Sequence, residues 1–292
     1  EVLQKVSEAY KSQRENIIKQ KNLIIKNLDL KKNSVLNQDL EPILEMTLSH
    51  LDTSKGGYIG APKFPTFNLY ETLLYFFNKS KNKKYLEPVD LIIKQLCSKG
   101  IYDHVEGGIS RYTVDDNWII PHFEKMLYDN VQFILLLSKY CKINNENYYK
   151  NKLEQTIEFL KKDFLNKDGF LGSAFDADSE GEEGKYYVWS KEEIKFCLGK
   201  DSDEFCKNYN IYEEGNWEGQ NIINRIGKGL SKDVNLELGS KNQNLLAKLR
   251  TNRRLRTLPF IDKKILTDWN SSLGCGLIRA FIAFKNPSYL DE

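Results

Sequence analysis

The feature that most constrains this chain is an alternation in how its amphipathic helical stretches are joined. Apolar positions recur at i, i+3 and i+4 through Leu40, Ile43, Leu44, Thr47, Leu48 and Leu51. They recur again through Tyr70, Leu73, Leu74 and Phe77, through Leu86, Val89, Ile92, Ile93 and Leu96, and through Phe123, Met126, Leu127, Asn130, Ile134, Leu137 and Cys141. A fifth stripe runs through Tyr149, Leu153, Ile157, Leu160 and Phe164. Short polar links (78–83 and 142–146) alternate with long loops rich in glycine and aromatic residues (56–65 and 100–121). Antiparallel helix pairs turning around a common axis give this pattern when one rim is plain and the other carries a cleft. Thr66 is placed to cap the second stretch, and Pro121 to occupy the first turn of the fourth.

Beyond Phe164 the pattern changes. Gly169-Phe170-Leu171-Gly172 and Lys185-Tyr186-Tyr187-Val188-Trp189 read as short strands flanking an acidic loop, a small β-hairpin insertion near 169–189. Ser190-Lys191-Glu192-Glu193 has the spacing of a capping box. Further helices are expected over about 240–256 and 268–285, and Asn286-Pro287-Ser288-Tyr289 resembles the start of another repeat. The fold class is therefore all-α, an (α/α) toroid that is incomplete here. The pattern supplies about seven or eight ring helices where a closed ring of six hairpins needs about twelve.

Charge and apolar content exclude several functions. The 292 residues carry 43 basic and 41 acidic side chains, a net +2, so no global field draws nucleic acid or anionic lipid. No run approaches the roughly 18–20 apolar residues of a membrane span, and residues 1–32 show no signal-peptide core. The missing initiator Met reads as a fragment boundary. The five cysteines, Cys97, Cys141, Cys197, Cys206 and Cys275, are scattered, with no Cys-x-x-Cys pair. Reduced, buried thiols in a cytoplasmic protein are the simplest reading. Neither a zinc site nor a standard calcium loop is expected. Asp176, Asp178 and Glu180 open like an EF-hand, but Tyr187 stands where the bidentate Glu belongs. No metal and no cofactor is expected.

Chemistry concentrates on 100–130. This stretch holds His104 and His122 together with Asp103, Glu106, Arg111, Tyr112, Trp118, Glu124, Tyr128 and Asp129. Histidine exchanges protons near neutral pH with little tuning. An arginine beside aromatic rings suits a sugar or a carboxylate. His50, at a helix end before a glycine turn, reads as structural. Asn130 lies on an apolar stripe and needs either a buried partner or a polar cavity. The acidic run 176–184 reads as a solvated turn or as carboxylates lining the cleft. Trp217 stands between glycines as a stacking wall or a loop pin. The arginines at 250, 253, 254 and 256 read as a solvated helix face.

Six stretches in order carry a family resemblance: Gly-Gly-Tyr-Ile-Gly-Ala-Pro-Lys-Phe-Pro (56–65), Tyr-Asp-His-Val-Glu-Gly-Gly-Ile-Ser-Arg-Tyr (102–112), Pro-His-Phe-Glu-Lys-Met-Leu-Tyr-Asp-Asn (121–130), Asp-Ala-Asp-Ser-Glu-Gly-Glu-Glu-Gly-Lys-Tyr-Tyr-Val-Trp (176–189), Gly-Asn-Trp-Glu-Gly (215–219) and Asp-Lys-Lys-Ile-Leu-Thr-Asp-Trp-Asn (262–270). With these the chain resembles the YyaL-like family, whose animal members are known as spermatogenesis-associated proteins. The resemblance implies a thioredoxin-like domain followed by a six-hairpin, glycosidase-like (α/α) toroid similar to N-acylglucosamine 2-epimerase. Residues 1–36 would then be the tail of the thioredoxin-like domain with a linker helix, and 37–292 a partial toroid. An intramolecular contact with the thioredoxin-like domain, absent from this chain, is also implied. The family has no settled reaction, so it implies a role in carbohydrate metabolism without a substrate.

The leading expectation is a sugar epimerase or isomerase in which His104 and His122 are acid and base. Arg111 would hold a substrate oxygen, and Tyr112, Trp118 and Trp217 would stack on the ring. A glycosidase variant uses Asp176 and Asp178. Lys63, Glu124, Glu218, Trp269 and Asn270 complete the candidate substrate-binding set. The alternative is a non-catalytic scaffold that presents a ligand or client to the thioredoxin-like domain.

Overall fold

The computed structural model describes residues 2–28, 40–225 and 239–290. The chain divides into two units, Glu1–Ser49 and His50–Glu292. The first contains α1 (Val2–Ser12), α2 (Arg14–Leu28) and α3 (Glu41–Ser49). Helix α1 buries none of its residues, and α3 buries Leu44.

The second unit has the hairpin plan that the alternating links predict. It begins with α4 (Phe67–Ser80), α5 (Glu87–Ser98), α6 (Leu127–Tyr140) and α7 (Asn147–Asp163). After a non-helical stretch come α8 (Lys191–Leu198), α9 (Ser202–Asn208), α10 (Ser240–Arg253) and α11 (Thr267–Phe284). Helix α6 is central, packed against α4, α7 and α11. It buries Val131, Phe133, Ile134, Leu136 and Leu137, residues on more than one side of the helix, as a helix with neighbours on several sides must. Gly276 of α11 lies where a Cβ would meet Ile134 of α6 at 3.5 Å. Helices α5 and α7 form a second row tied by hydroxyls. Tyr148 donates to the Cys97 carbonyl at 2.7 Å, and Tyr140 of α6 donates to Asp90 of α5 at 2.8 Å. The fold is thus all-α, an arc of an (α/α) toroid with small β insertions.

Helices α8, α9 and α10 stand apart from these rows, around a core of Ile194, Leu198, Phe205, Tyr209, Leu245, Leu246 and Leu249. The expected capping box opens α8: Ser190 Oγ accepts from Glu193 N–H at 3.1 Å, and Glu193 accepts from Ser190 N–H at 2.8 Å.

Several local expectations are corrected. Thr66 sits at the start of α4 with φ +42°, and its side chain makes no capping bond. Residues 121–126 are extended rather than helical, and α6 begins only at Leu127. Side chains alternate there: Pro121, Phe123, Lys125 and Leu127 are buried, while His122, Glu124, Met126 and Tyr128 are only partly so. That is the period of a strand, and the apolar residues at 123, 126 and 127 mimic helical spacing across the join. The β-hairpin near 169–189 lies inside the acidic run itself, as β5 (Asp178–Ser179) against β6 (Glu182–Glu183). The stretch 185–189 is a turn instead of a strand, with Lys185 exposed, 186–189 buried and Trp189 in an isolated bridge with Asn221. The other small strands are β1 (Tyr112–Thr113) on β2 (Pro121–His122), and β3 (Lys125–Met126), β4 (Ala174–Phe175) and β7 (Ile261–Asp262) in one sheet. The cysteines are all free, but Cys275 is exposed and Cys197 half-buried.

The arginine run is not a solvated face. Arg253 is buried and donates to both oxygens of Asp103 at 2.8 and 2.7 Å, and to the Tyr187 carbonyl at 3.1 Å. Lys125, also buried, reaches the same carboxylate at 2.8 Å and the Gly107 carbonyl at 3.0 Å. Arg254 pairs with Asp163 at 2.6 Å through two nitrogens and also with Glu106. Arg250 donates to the Val105 carbonyl at 2.9 Å. Arg256 covers Trp189 at 4.1 Å and donates to the carbonyls of Tyr186 and Val188. Burial opposes ionisation of Asp103, but the Arg253 and Lys125 charges outweigh it and hold the carboxyl well below its usual range. Removing Arg253 leaves Asp103 with Lys125 alone and the buried cluster one positive charge short. Arg253→Met is expected to cost about 3–5 kcal/mol in urea unfolding; a loss below about 1 kcal/mol would show that this cluster does not hold the loops to α10.

Candidate functional site

The long loops deliver one compact set of polar side chains, and the extended segment 121–126 is its backbone. Strand β2 pairs with β1 in the register Tyr112↔His122, and Arg111 N–H donates to the Glu124 carbonyl at 3.0 Å. Arg111, Tyr112, His122 and Glu124 are therefore neighbours on two adjacent strands. Tyr112 stacks on His122 with ring centres 4.9 Å apart, and Phe64 stacks on the other side of Tyr112 at 4.7 Å. The acidic hairpin contributes Glu183, whose Oε1 lies 2.7 Å from His122 Nδ1. His122 Nε2 stands 3.8 Å from Glu124 Oε2, and the imidazole is 28% exposed. The ring thus stands between two carboxylates, Glu183 at Nδ1 and Glu124 at the longer distance from Nε2.

Arg111 links this pair to the start of α6. Its Nη1 donates to Glu124 Oε2 at 3.2 Å, and its Nε donates to the Tyr128 hydroxyl at 3.1 Å. Trp269 of α11 meets Tyr128 edge-on at 4.8 Å. Beside Tyr128, Asp129 is 7% exposed, and its Oδ2 has no hydrogen-bond partner. Burial pushes this carboxyl up to about 7, against the pull of Arg111 and Tyr128, with the Glu124 charge adding to the rise. Burial also raises the Tyr128 hydroxyl.

The remaining candidates lie elsewhere. His104 is 3% exposed, with Nε2 3.2 Å from the Lys99 carbonyl, Nδ1 3.4 Å from Lys152 Nζ, and its ring between Tyr102 and Tyr209. It shares none of these partners with His122. Lys63 is buried, donating to the Gly56 carbonyl at 2.6 Å and to Asp52 at 3.2 Å. Trp118 is fully buried and donates to the Lys55 carbonyl at 2.9 Å, so its ring has no face for a ligand. Gly57 makes room for it, since a Cβ there would lie 2.7 Å from the indole. Asn270 accepts from Leu171 N–H at 2.8 Å and donates back to its carbonyl at 3.0 Å, a structural clamp. Asn130 is likewise satisfied, accepting from Ile109 N–H at 2.8 Å and donating to the carbonyls of Ile109 and Met126. Trp217 packs on Phe123 at 5.4 Å, against the inward side of the extended segment. Glu218 occupies the adjacent turn with φ +47°. Asp176 and Asp178 are exposed, Asp176 Oδ1 accepting from Asp178 N–H at 3.3 Å. Glu180 and Glu182 pair with Lys185.

The sequence names Tyr128 and Asp129 only as members of the polar stretch 100–130, without a role, and Glu183 only as part of the acidic run 176–184. The period-two alternation from 121 to 128 is the signal that would have placed Tyr128 with His122 and Glu124. Nothing local marks Glu183, whose role depends on the hairpin turning at Glu180-Gly181. Among the described residues, no group of three or more His, Cys, Asp or Glu side chains is arranged to hold a metal ion. No helix among them is long and apolar enough to cross a membrane.

No family model matches the chain. It is 29% identical over 292 residues to an uncharacterized protein of Caenorhabditis elegans, covering 84% of this chain and 38% of that protein. It is 29% identical over 261 residues to spermatogenesis-associated protein 20 of Homo sapiens, covering 77% of this chain and 33% of that one. The mouse protein of the same name is 28% identical over 260 residues. The chain thus spans only about a third of the length of these relatives. Among solved structures it is similar to a sugar epimerase from a ruminal bacterium, at 14% identity and TM-score 0.40 over 88% of this chain and 82% of that one. It is also similar to cellobiose 2-epimerase from Spirochaeta thermophila, at 16% identity and TM-score 0.40 over 87% and 84%. A family 76 glycoside hydrolase from Bacteroides thetaiotaomicron gives 14% identity and TM-score 0.38 over 80% and 46%.

Gly184 sets the register of the acidic hairpin against His122. Its φ is +75°, and a Cβ would lie 2.5 Å from the Phe123 ring. Gly184→Ala is expected to cost about 1–3 kcal/mol and to change the His122 ring resonances by pulling Glu183 away. Unaltered resonances would show that the hairpin does not position the imidazole.

Proposed function

We propose that this rim binds a sugar and moves a proton at the carbon beside its carbonyl, as an epimerase or isomerase does. The observation that carries the reading is the His122–Glu183 pair, 2.7 Å apart at Nδ1, with Nε2 3.8 Å from Glu124 Oε2 and the Arg111 guanidinium one strand away. A base oriented by a third group is the usual arrangement for proton abstraction. Arg111 supplies N–H donors for the substrate oxygen that becomes negative as the C–H bond breaks. Trp269, which meets Tyr128 beside that arginine, offers aromatic surface suited to the apolar face of a pyranose, whereas Tyr112 has its two faces covered by Phe64 and His122. His104, enclosed by Tyr102, Tyr209 and Lys99, is left out of the reacting set. The similarity to proteins named as sugar epimerases agrees in kind, but the argument rests on the rim itself. The contact with a thioredoxin-like domain remains part of the proposal for the longer protein.

Exchange of the C2 proton for deuterium is the test. The protein is incubated in heavy water with glucose, mannose, N-acetylglucosamine or cellobiose, and exchange is followed by NMR. Exchange in at least one sugar is expected, with His122→Gln lowering it by about 100-fold or more while the fold is retained. Glu183→Gln should lower the rate less, by about 10-fold, since it orients the base without reacting. Equal rates for His122→Gln and the unsubstituted protein would remove His122 from the chemistry. Sugar-induced rises in melting temperature without exchange would favour the binding-scaffold reading instead.

A further inference from the structure

The imidazole of His122 has one carboxylate on it and a second close by. Glu183 of the acidic hairpin meets Nδ1 at 2.7 Å. Glu124 lies two residues along the same extended segment, so its side chain leaves the same face as His122. Its Oε2 stands 3.8 Å from Nε2, about 1 Å beyond hydrogen-bond length. That oxygen is engaged by Arg111 instead, whose Nη1 donates to it at 3.2 Å. The arginine is itself anchored at two further points. Its backbone N–H donates to the Glu124 carbonyl at 3.0 Å, and its Nε donates to the Tyr128 hydroxyl at 3.1 Å. The fourth neighbour of the ring, Tyr112 of β1, is stacked on it.

The chemistry of imidazole makes this arrangement matter. A base needs a lone pair, and a neutral imidazole whose Nδ1–H is bound to a carboxylate keeps one on Nε2. A carboxylate on each nitrogen favours the imidazolium, in which both nitrogens are donors and neither can accept a proton. The geometry points to Arg111 as a positioning residue: by holding Glu124 Oε2 it keeps the second carboxylate off His122 Nε2 and preserves the lone pair that takes the substrate's C–H proton. The catalytic consequence of this role rests on the proton-transfer reading above. It is compatible with a bond from Arg111 to the substrate oxygen, because Nε and Nη1 hold Tyr128 and Glu124 while the Nη2 hydrogens are left over. A planar guanidinium suits the task, since its fork fixes the directions of both partners at once. A lysine would bring the charge without the fork.

The test is the 15N spectrum of protein labelled at histidine, at about pH 8, where an ordinary imidazole is neutral. The His122 signals are assigned by their loss in His122→Gln. In the unsubstituted protein, Nε2 is expected at the position of an unprotonated nitrogen. In Arg111→Met it should move to the protonated position as Glu124 closes on it. In the double variant Arg111→Met, Glu124→Gln it should return, because the carboxylate that held the proton is gone. Tyr128→Phe releases Arg111 Nε without a change of charge, and a smaller displacement in the same direction is expected. C2–H exchange should fall about 100-fold in Arg111→Met, and the double variant should recover about 10-fold of that loss. The recovery is partial because the substrate oxygen has lost its donor as well.

An Nε2 signal that stays unprotonated in both Arg111→Met and Tyr128→Phe overturns the inference. Equal protonation of Nε2 in Arg111→Met and in the double variant also overturns it, since Arg111 then acts through its own charge rather than through Glu124. If the 15N signals follow the expected pattern but no sugar exchanges, the positioning role stands and the proton-transfer reading fails.

Discussion

The buried charge cluster around Asp103 is the interaction on which the rest of the second unit depends. Asp103 caps its own loop, accepting N–H bonds from Val105 and Glu106, while Arg253 of α10 and Lys125 of β3 close on its carboxylate. Three segments distant in sequence are thereby fixed at one point. Lys125 is the inward neighbour of Glu124, so the same residue that satisfies the interior sets the depth at which the outward side chains stand. A cluster of this kind adds little net stability compared with apolar packing, yet it tolerates few alternative arrangements. Its value here is that it determines where 121–126 runs.

On that base the rim is assembled from pieces with different local rules. β1 and β2 supply Arg111, Tyr112, His122 and Glu124 through strand alternation. The acidic hairpin adds Glu183 through a turn at Glu180-Gly181, and α6 adds Tyr128 and Asp129 through its first turn. The result mixes one paired imidazole, one arginine shared between two acceptors and one carboxyl with no cation of its own.

Helix positions and hairpin plan were legible in the sequence because they rest on local periodicity, and α4, α5, α7, α10 and α11 occur where the apolar stripes and polar links put them, with α6 starting later than its stripe. The rim was legible in part. His122, Arg111, Tyr112, Glu124 and Trp269 come together as a set rich in polar and aromatic residues should. What misled was the join at Leu127. Apolar residues at 123, 126 and 127 fit a helical stripe, and only the alternation of polar residues at 122 and 124 betrays the extended chain. Trp118 and Lys63 look like ligand contacts because they are aromatic or charged within a glycine-rich loop. Their burial comes from partners, the Lys55 and Gly56 carbonyls, that adjoin them only after folding. The arginine run was misread for the same reason: its acceptors lie on loops as many as 150 residues away in sequence.

The two-faced character of 121–128 has a consequence for how such a rim diversifies. Because odd positions are buried and even positions only partly so, exchange of an even-numbered side chain alters the outward face of the segment while leaving the packing beneath it intact. A lineage that kept Phe123, Lys125 and Leu127 while varying its outward residues would retain one scaffold and acquire new specificities, with the frame and the chemistry inherited on separate faces of the same short ribbon.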